Sequence, residues 1–204
     1  MTAIVSLKKE INKRKDDIQK LLEFLKTIDT DDELYSVISS AIFLAAYNLI
    51  EYLLREVILT ICDEINSNNK HYFEIKNEIR KHLFDSAKKE HAQQNIELLF
   101  NHSACKFKPN NNSLLSGNVN QRYLRETLEK YAVFVKWPRT VSLITLDTLK
   151  DIRNELSHGH KAFSEIKFSL EDINNFIMHL EEISLLILDK LEISLNEQLY
   201  CIEE

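Results

Sequence analysis

A chain of 204 residues builds one sizeable core and is short for two, since domains usually run to roughly 100–200 residues. Hydrophobic residues at 44% and charged residues at 28% give the balance of a soluble globular protein, while two Gly and two Pro leave almost nothing for tight β-turns and argue for helices. A formal charge of −6 excludes a global attraction to nucleic acid, so any such role has to rest on a local basic patch.

The first helix is expected from Ser6 to about Lys26, with Leu7, Ile11, Ile18, Leu21, Leu22 and Leu25 on one face, Ser6 as cap and Arg14 interrupting the stripe. A second opens at Asp31 or Asp32 and runs to about Asn66. Its middle, "AIFLAAYNLIEYLLREVILTIC", is apolar nearly all round but carries Asn48, Glu51, Arg55 and Glu56, which reads as a buried core helix rather than a membrane span. Two shorter helices are expected between His71 and Phe100, and "CKFKPNNNSLLSGNVN" is the clearest loop.

A helix follows from about Val119 to Tyr131, and Pro138 then stops regular structure. "LDTLKDIRNELSHGHKAF" carries a short helix from about Leu146 to Ser157, halted at Gly159. Ser169-Leu-Glu-Asp172 is a capping-box-like start to a long last helix with Ile173, Phe176, Ile177, Leu180, Ile183, Leu186, Ile187 and Leu191 on one stripe. The tail "LNEQLYCIEE" is acidic and reads as free to fray or to pack on a partner. His71, His82, His91 and His102 read as exposed, and Trp137 as a cover for the edge of the core.

Cys62, Cys105 and Cys201 are odd in number and far apart, so they form neither a disulfide framework nor a metal clamp, and a reducing cytoplasm is the expected location. The N-terminal "MTAIVSLKKEINKRKDD" has too few consecutive apolar residues for a signal-peptide core. No membrane partner and no metal site is expected, since His158-x-His160 lacks a recognisable third ligand.

One constellation carries chemistry. Arg153 and His158 stand five residues apart, so on a straight helix they point ~140° apart. A left-handed Gly159 would put His158 at the helix cap and release it from the register, and Asn154 would share a face with His158. A two-fold axis beside this helix end would bring two copies of Arg153 and His158 together. Histidine exchanges protons near neutral pH and arginine grips a phosphate, a minimal kit for RNA cleavage through the 2′-OH to a 2′,3′-cyclic phosphate, with no metal and no cofactor. On spacing alone, the same residues read first as a favourable helix C-terminus, their positive charges interacting with the dipole and the last carbonyls.

"RNELSH" resembles the R-x4–6-H motif of HEPN domains in its R-N-x-x-x-H form. "FLAAYNLIEYLLREVILTICDEI" resembles the long helix, with its Y-N-x-x-E signature, of stand-alone bacterial HEPN toxins. "LSGNVNQRYLRETLEKYAV" and "LSHGHKAFSEI" are similar to that group's S-G-N-x-x-x-R segment and its [AS]-H-G-x-x-x-F continuation. Together they span about residues 38–190.

The resemblance implies Arg153 and His158 as catalytic, with Asn154 adjacent, and Tyr47, Asn48 and Glu51 as supports on the long helix. Asn48 and Glu51 also read as a buried hydrogen-bonded pair. Arg122, Arg125, Lys130, Lys136 and Arg139 form a candidate RNA-contacting patch or a solvated face. Where similar toxins carry a tyrosine that receives AMP from a partner nucleotidyltransferase, this chain has His160. His160 then reads as a second proton-transfer group or as simply exposed.

These readings converge on a single all-α domain over residues 1–204. It is an up-and-down HEPN-type bundle of four to five main helices, with a helical insertion at about 70–118 and an acidic tail at about 193–204. The implied function is an endoribonuclease with a composite site in a homodimer, a toxin of a toxin–antitoxin or antiphage system acting on RNA and held by a cognate antitoxin or partner. The alternative is a catalytically silent HEPN module that binds a nucleotide or a partner protein.

Overall fold

The computed structural model describes residues 2–81, 115 and 117–202. Five helices are laid out in order: α1 (Thr2–Leu25), α2 (Glu33–Ser67), α3 (Gln121–Lys130), α4 (Ile144–Ser157) and α5 (Leu170–Asn196). Among the described residues there is no strand, only an isolated antiparallel bridge between Ile75 and Cys201. The fold is all-α. His82, His91, His102, Cys105 and the helices expected toward Phe100 lie outside the described residues. Before them the chain makes a 3-10 turn at Tyr72–Glu74 and is helical again over 77–81.

The fold is organised by α2, which packs against each of the other four helices α1, α3, α4 and α5. It is long and apolar enough to cross a bilayer by length and composition, but here its side chains make the core: Leu53, Leu54, Val57, Ile58 and Ile61 have no exposed surface. A helix buried on most of its circumference gains about 1.5–3 kcal/mol for each large apolar side chain removed from water, and this explains why its apolar positions show no single stripe. Asp32 starts it, accepting from the Leu34 amide as N-cap.

Around α2, α1 lays Ile4, Leu7, Ile11, Ile18, Leu22 and Leu25 against the core. It begins at Thr2, four residues before the expected cap at Ser6, because Ile4 belongs to the same apolar stripe. Arg14, which breaks that stripe in the sequence, stacks its guanidinium 3.8 Å from the centre of the Tyr52 ring on α2. α5 closes the bundle. Its first turn carries the full reciprocal capping box, Ser169 Oγ accepting from the Asp172 amide and Asp172 accepting from the Ser169 amide.

The acidic tail is tied down rather than frayed. Tyr200 is fully buried, and its carbonyl accepts from the Lys76 amide while the Ile202 amide donates to Glu74. The tail is thereby stitched to the segment after α2. Trp137 is half-buried against the core edge, as its solitary position suggested.

Truncation of a side chain on the central helix leaves a cavity, whereas truncation on the outer face of α5 removes only exposed surface. Leu54→Ala is expected to cost about 2–5 kcal/mol in urea unfolding, and Leu185→Ala, with the residue 54% exposed, less than about 0.5 kcal/mol.

Candidate active site

The site is assembled where α4 ends, from three parts of the chain. α4 runs from Ile144, two residues earlier than its apolar pattern suggests, to Ser157. Leu146, Leu149, Ile152 and Leu156 are buried and fix its inner face on α2 and α5. That anchoring leaves Arg153 and Asn154 half-buried at its side and His158 exposed at its tip.

The end of α4 has the hydrogen bonds of a Schellman motif. The Gly159 amide donates to Leu156 and the His160 amide to Glu155 at 2.9 Å, with Gly159 at φ +68°. Nothing lies within 4 Å of where a Gly159 Cβ would stand, so glycine is needed there for its backbone angle alone. His158 is not released from the helical register as expected. Its amide still donates to the Asn154 carbonyl at 3.0 Å, and the chain departs only at Gly159.

Arg153 points away from that tip. Helical side chains lean toward the N-terminus, and its guanidinium donates to Asn154 Oδ1 at 2.8 Å and stands 5.3 Å from the centre of the Tyr47 ring. One of its terminal nitrogens would be 3.5 Å from a Cβ at Gly117. No carboxylate lies within ion-pair distance of Arg153 among the described residues. Asn154 Nδ2 in turn donates to Asn118 Oδ1 at 3.3 Å, a long bond, so Asn154 links Arg153 to the loop before α3 and not to His158, four residues on.

That loop is fastened by Tyr47. Its hydroxyl donates to the Gly117 carbonyl at 2.8 Å and accepts from the Val119 amide at 3.0 Å. Burial pushes the phenol's pKa upward, against a smaller lowering by the Val119 amide, which keeps it a neutral donor. Gln121, opening α3, bonds through Nε2 to Asp147 of α4 at 2.7 Å, a second tie between the same elements. Asn120 caps α3 by accepting from the Tyr123 amide, and this is why the helix starts at Gln121 rather than Val119.

Of the sequence-derived candidates, Tyr47, Arg153 and Asn154 come together. Asn48, next to Tyr47 on α2, is exposed, so it is not one of a buried pair with the half-buried Glu51. His158 and His160 share the tip, ring centres 6.0 Å apart, without contact to Arg153 of the same chain. Gly117 and Asn118 are site positions that spacing alone did not single out; the available signal was the rarity of glycine and the "SGN" match.

The expected basic patch divides. Arg122 is exposed but held by Glu126 at 2.6 Å, which also raises its pKa by hydrogen bond and charge. Arg125 and Lys136 line a small groove of about 120 Å³ with Phe134 and Trp137. Arg139 is exposed and Lys130 half-buried. Among the described residues no group of three His, Cys, Asp or Glu side chains is placed to hold a metal ion.

The RiboL-PSP-HEPN family model matches residues 9–193, beyond both ends of the segments that carry the resemblance in sequence. The chain belongs to this family, and the bundle around α2 and α4 is its HEPN domain. Neither the curated proteins nor the solved structures yielded a match.

Tyr47→Phe strands two backbone groups, and the Val119 amide is buried. It is expected to cost about 1–3 kcal/mol in denaturant unfolding. Gly159→Ala, strained at positive φ, is expected to cost about 1–2 kcal/mol without change in the far-ultraviolet circular dichroism.

Proposed function

We propose that the chain is a metal-independent endoribonuclease, with Arg153 as the phosphate-binding cation and His158 as a proton-transfer group. The observation that carries this reading is the state of Arg153. An arginine is costly to hold half-buried without a counter-ion, and this one has a side-chain amide and two tethered elements around it but, among the described residues, no carboxylate. A phosphate oxygen is the ligand such a guanidinium lacks. Membership of a HEPN family, whose members are often ribonucleases, points the same way.

In the proposed reaction the ribose 2′-OH attacks the adjacent phosphorus, the guanidinium stabilises charge on the non-bridging oxygens, and a 2′,3′-cyclic phosphate and a 5′-hydroxyl result. Within one chain Arg153 leans back along α4 while His158 stands at its tip. A homodimer with the two ends of α4 side by side would set Arg153 of one copy against the histidine of the other. A cytoplasmic toxin or antiphage nuclease, acting on cellular RNA and held by an antitoxin or partner protein, is the setting that fits this chemistry. Arg125, Lys136 and Arg139 would steer the RNA.

Purified protein incubated with total RNA in EDTA is expected to cut it and to leave cyclic-phosphate ends. Arg153→Ala and His158→Ala are each expected to slow the reaction about 10²–10⁴-fold. Equal cutting by all three proteins would contradict the assignment. A wild-type protein that cuts no RNA but binds a nucleotide or partner through this helix end would establish the silent binding module instead.

A further inference from the structure

We propose that His158 and His160 of one chain are together the general base and general acid of the reaction, so that each copy carries a complete proton-transfer pair. This rests on the ribonuclease reading above.

The geometry of the turn is the first ground. The two rings stand 6.0 Å apart between centres and are inclined at 45°. That separation leaves room for each to reach an oxygen of one phosphodiester by a hydrogen bond of about 2.6–3.2 Å. The backbone that carries the two rings is itself held by hydrogen bonds. The His158 amide is held on the Asn154 carbonyl, Gly159 turns the chain at φ +68°, and the His160 and Lys161 amides both end on the Glu155 carbonyl.

The second ground is that neither imidazole has a hydrogen-bond partner among the described residues. Both residues are exposed, and the neighbouring charged groups have partners of their own. Lys161 pairs with Glu155 at 2.7 Å, and Glu165 accepts from the Ala162 amide. Two imidazoles at this spacing also offer what one imidazole beside a tyrosine would not, because a phenol ionises near pH 10 and exchanges protons poorly at neutrality.

The step balances with water alone. The neutral imidazole removes the 2′-OH proton as O2′ bonds to phosphorus and the P–O5′ bond breaks. The other ring, entering as imidazolium, gives its proton to the departing O5′. The pair finishes with its protonation states exchanged, and water restores them.

The test uses a short synthetic single-stranded RNA containing a linkage that the wild type cuts, together with the same RNA bearing sulfur in place of O5′ at that linkage. A thiolate leaves without protonation, so the sulfur substrate relieves a variant that lacks only the acid. His158→Ala and His160→Ala are each expected to lose about 10²–10⁴-fold on the oxygen substrate while unfolding at the same temperature as wild type. The sulfur substrate is expected to restore one of them and not the other. An equal mixture of the two variants is expected to stay inactive.

His160→Ala cutting at the wild-type rate would overturn the proposal. So would sulfur rescue of both variants or of neither, or recovery of activity in the mixture, which would show a pair formed across two chains. If wild type still cuts and Arg153→Ala does not, those failures leave the ribonuclease reading standing. A wild type that cuts no RNA sinks both.

Discussion

One phenolic hydroxyl joins the two halves of the site. Tyr47 lies fully inside the bundle, on the helix that α1, α3, α4 and α5 all touch, and its hydroxyl both donates to Gly117 and accepts from Val119. The loop before α3 has no other hydrogen bond to α2 among those found in the described residues. Together with the Asn154–Asn118 and Gln121–Asp147 bonds to α4, this bridge sets where Gly117 and Asn118 stand. With it, the ring of the same tyrosine lies beneath the Arg153 guanidinium and the backbone it holds lies beside it.

The consequence is a cation that is positioned without being neutralised by any carboxylate among the described residues. An ion pair would orient Arg153 as firmly, but it would compete with any phosphate. An aromatic ring, an asparagine oxygen and a close glycine orient it while leaving donors free. The exposed arginine Arg122 shows the contrast, since its partner Glu126 occupies it on the helix surface. Gly117 is suited to this place by its backbone angle, φ +69°, and a Cβ there would stand in ordinary van der Waals contact with the guanidinium, at 3.5 Å.

Much of this bundle is legible in local pattern. The cap at Asp32, the capping box at Ser169 and the break at Gly159 are written in a few neighbouring residues each, and they appear where those residues place them. The faces of α2 are not, because a helix apolar on nearly all sides gives no stripe from which to tell that Tyr47 points inward and Asn48 outward. The pairing of Arg122 with Glu126 is legible in the four-residue spacing and agrees with the reading of this helix side as a solvated face. The links from Arg153 to Gly117 and from Asn154 to Asn118 each join residues 36 positions apart, and long-range contacts of that kind leave no periodic trace. The direction of Arg153 was likewise hidden: angular spacing separates it from His158, but only the lean of helical side chains and the tethered loop decide which way it goes.

The central claim is that Tyr47 serves the reaction through Arg153 rather than through the stability of the bundle. A double-mutant cycle on RNA cleavage tests it most directly, comparing Tyr47→Phe, Arg153→Ala and the double variant with wild type, at a temperature where all four are folded. The account predicts that Tyr47→Phe slows cleavage in the otherwise native protein but has no further effect once Arg153 is alanine. Rates that fall by the product of the two single effects would show that the tyrosine acts independently of the arginine, and would contradict the account.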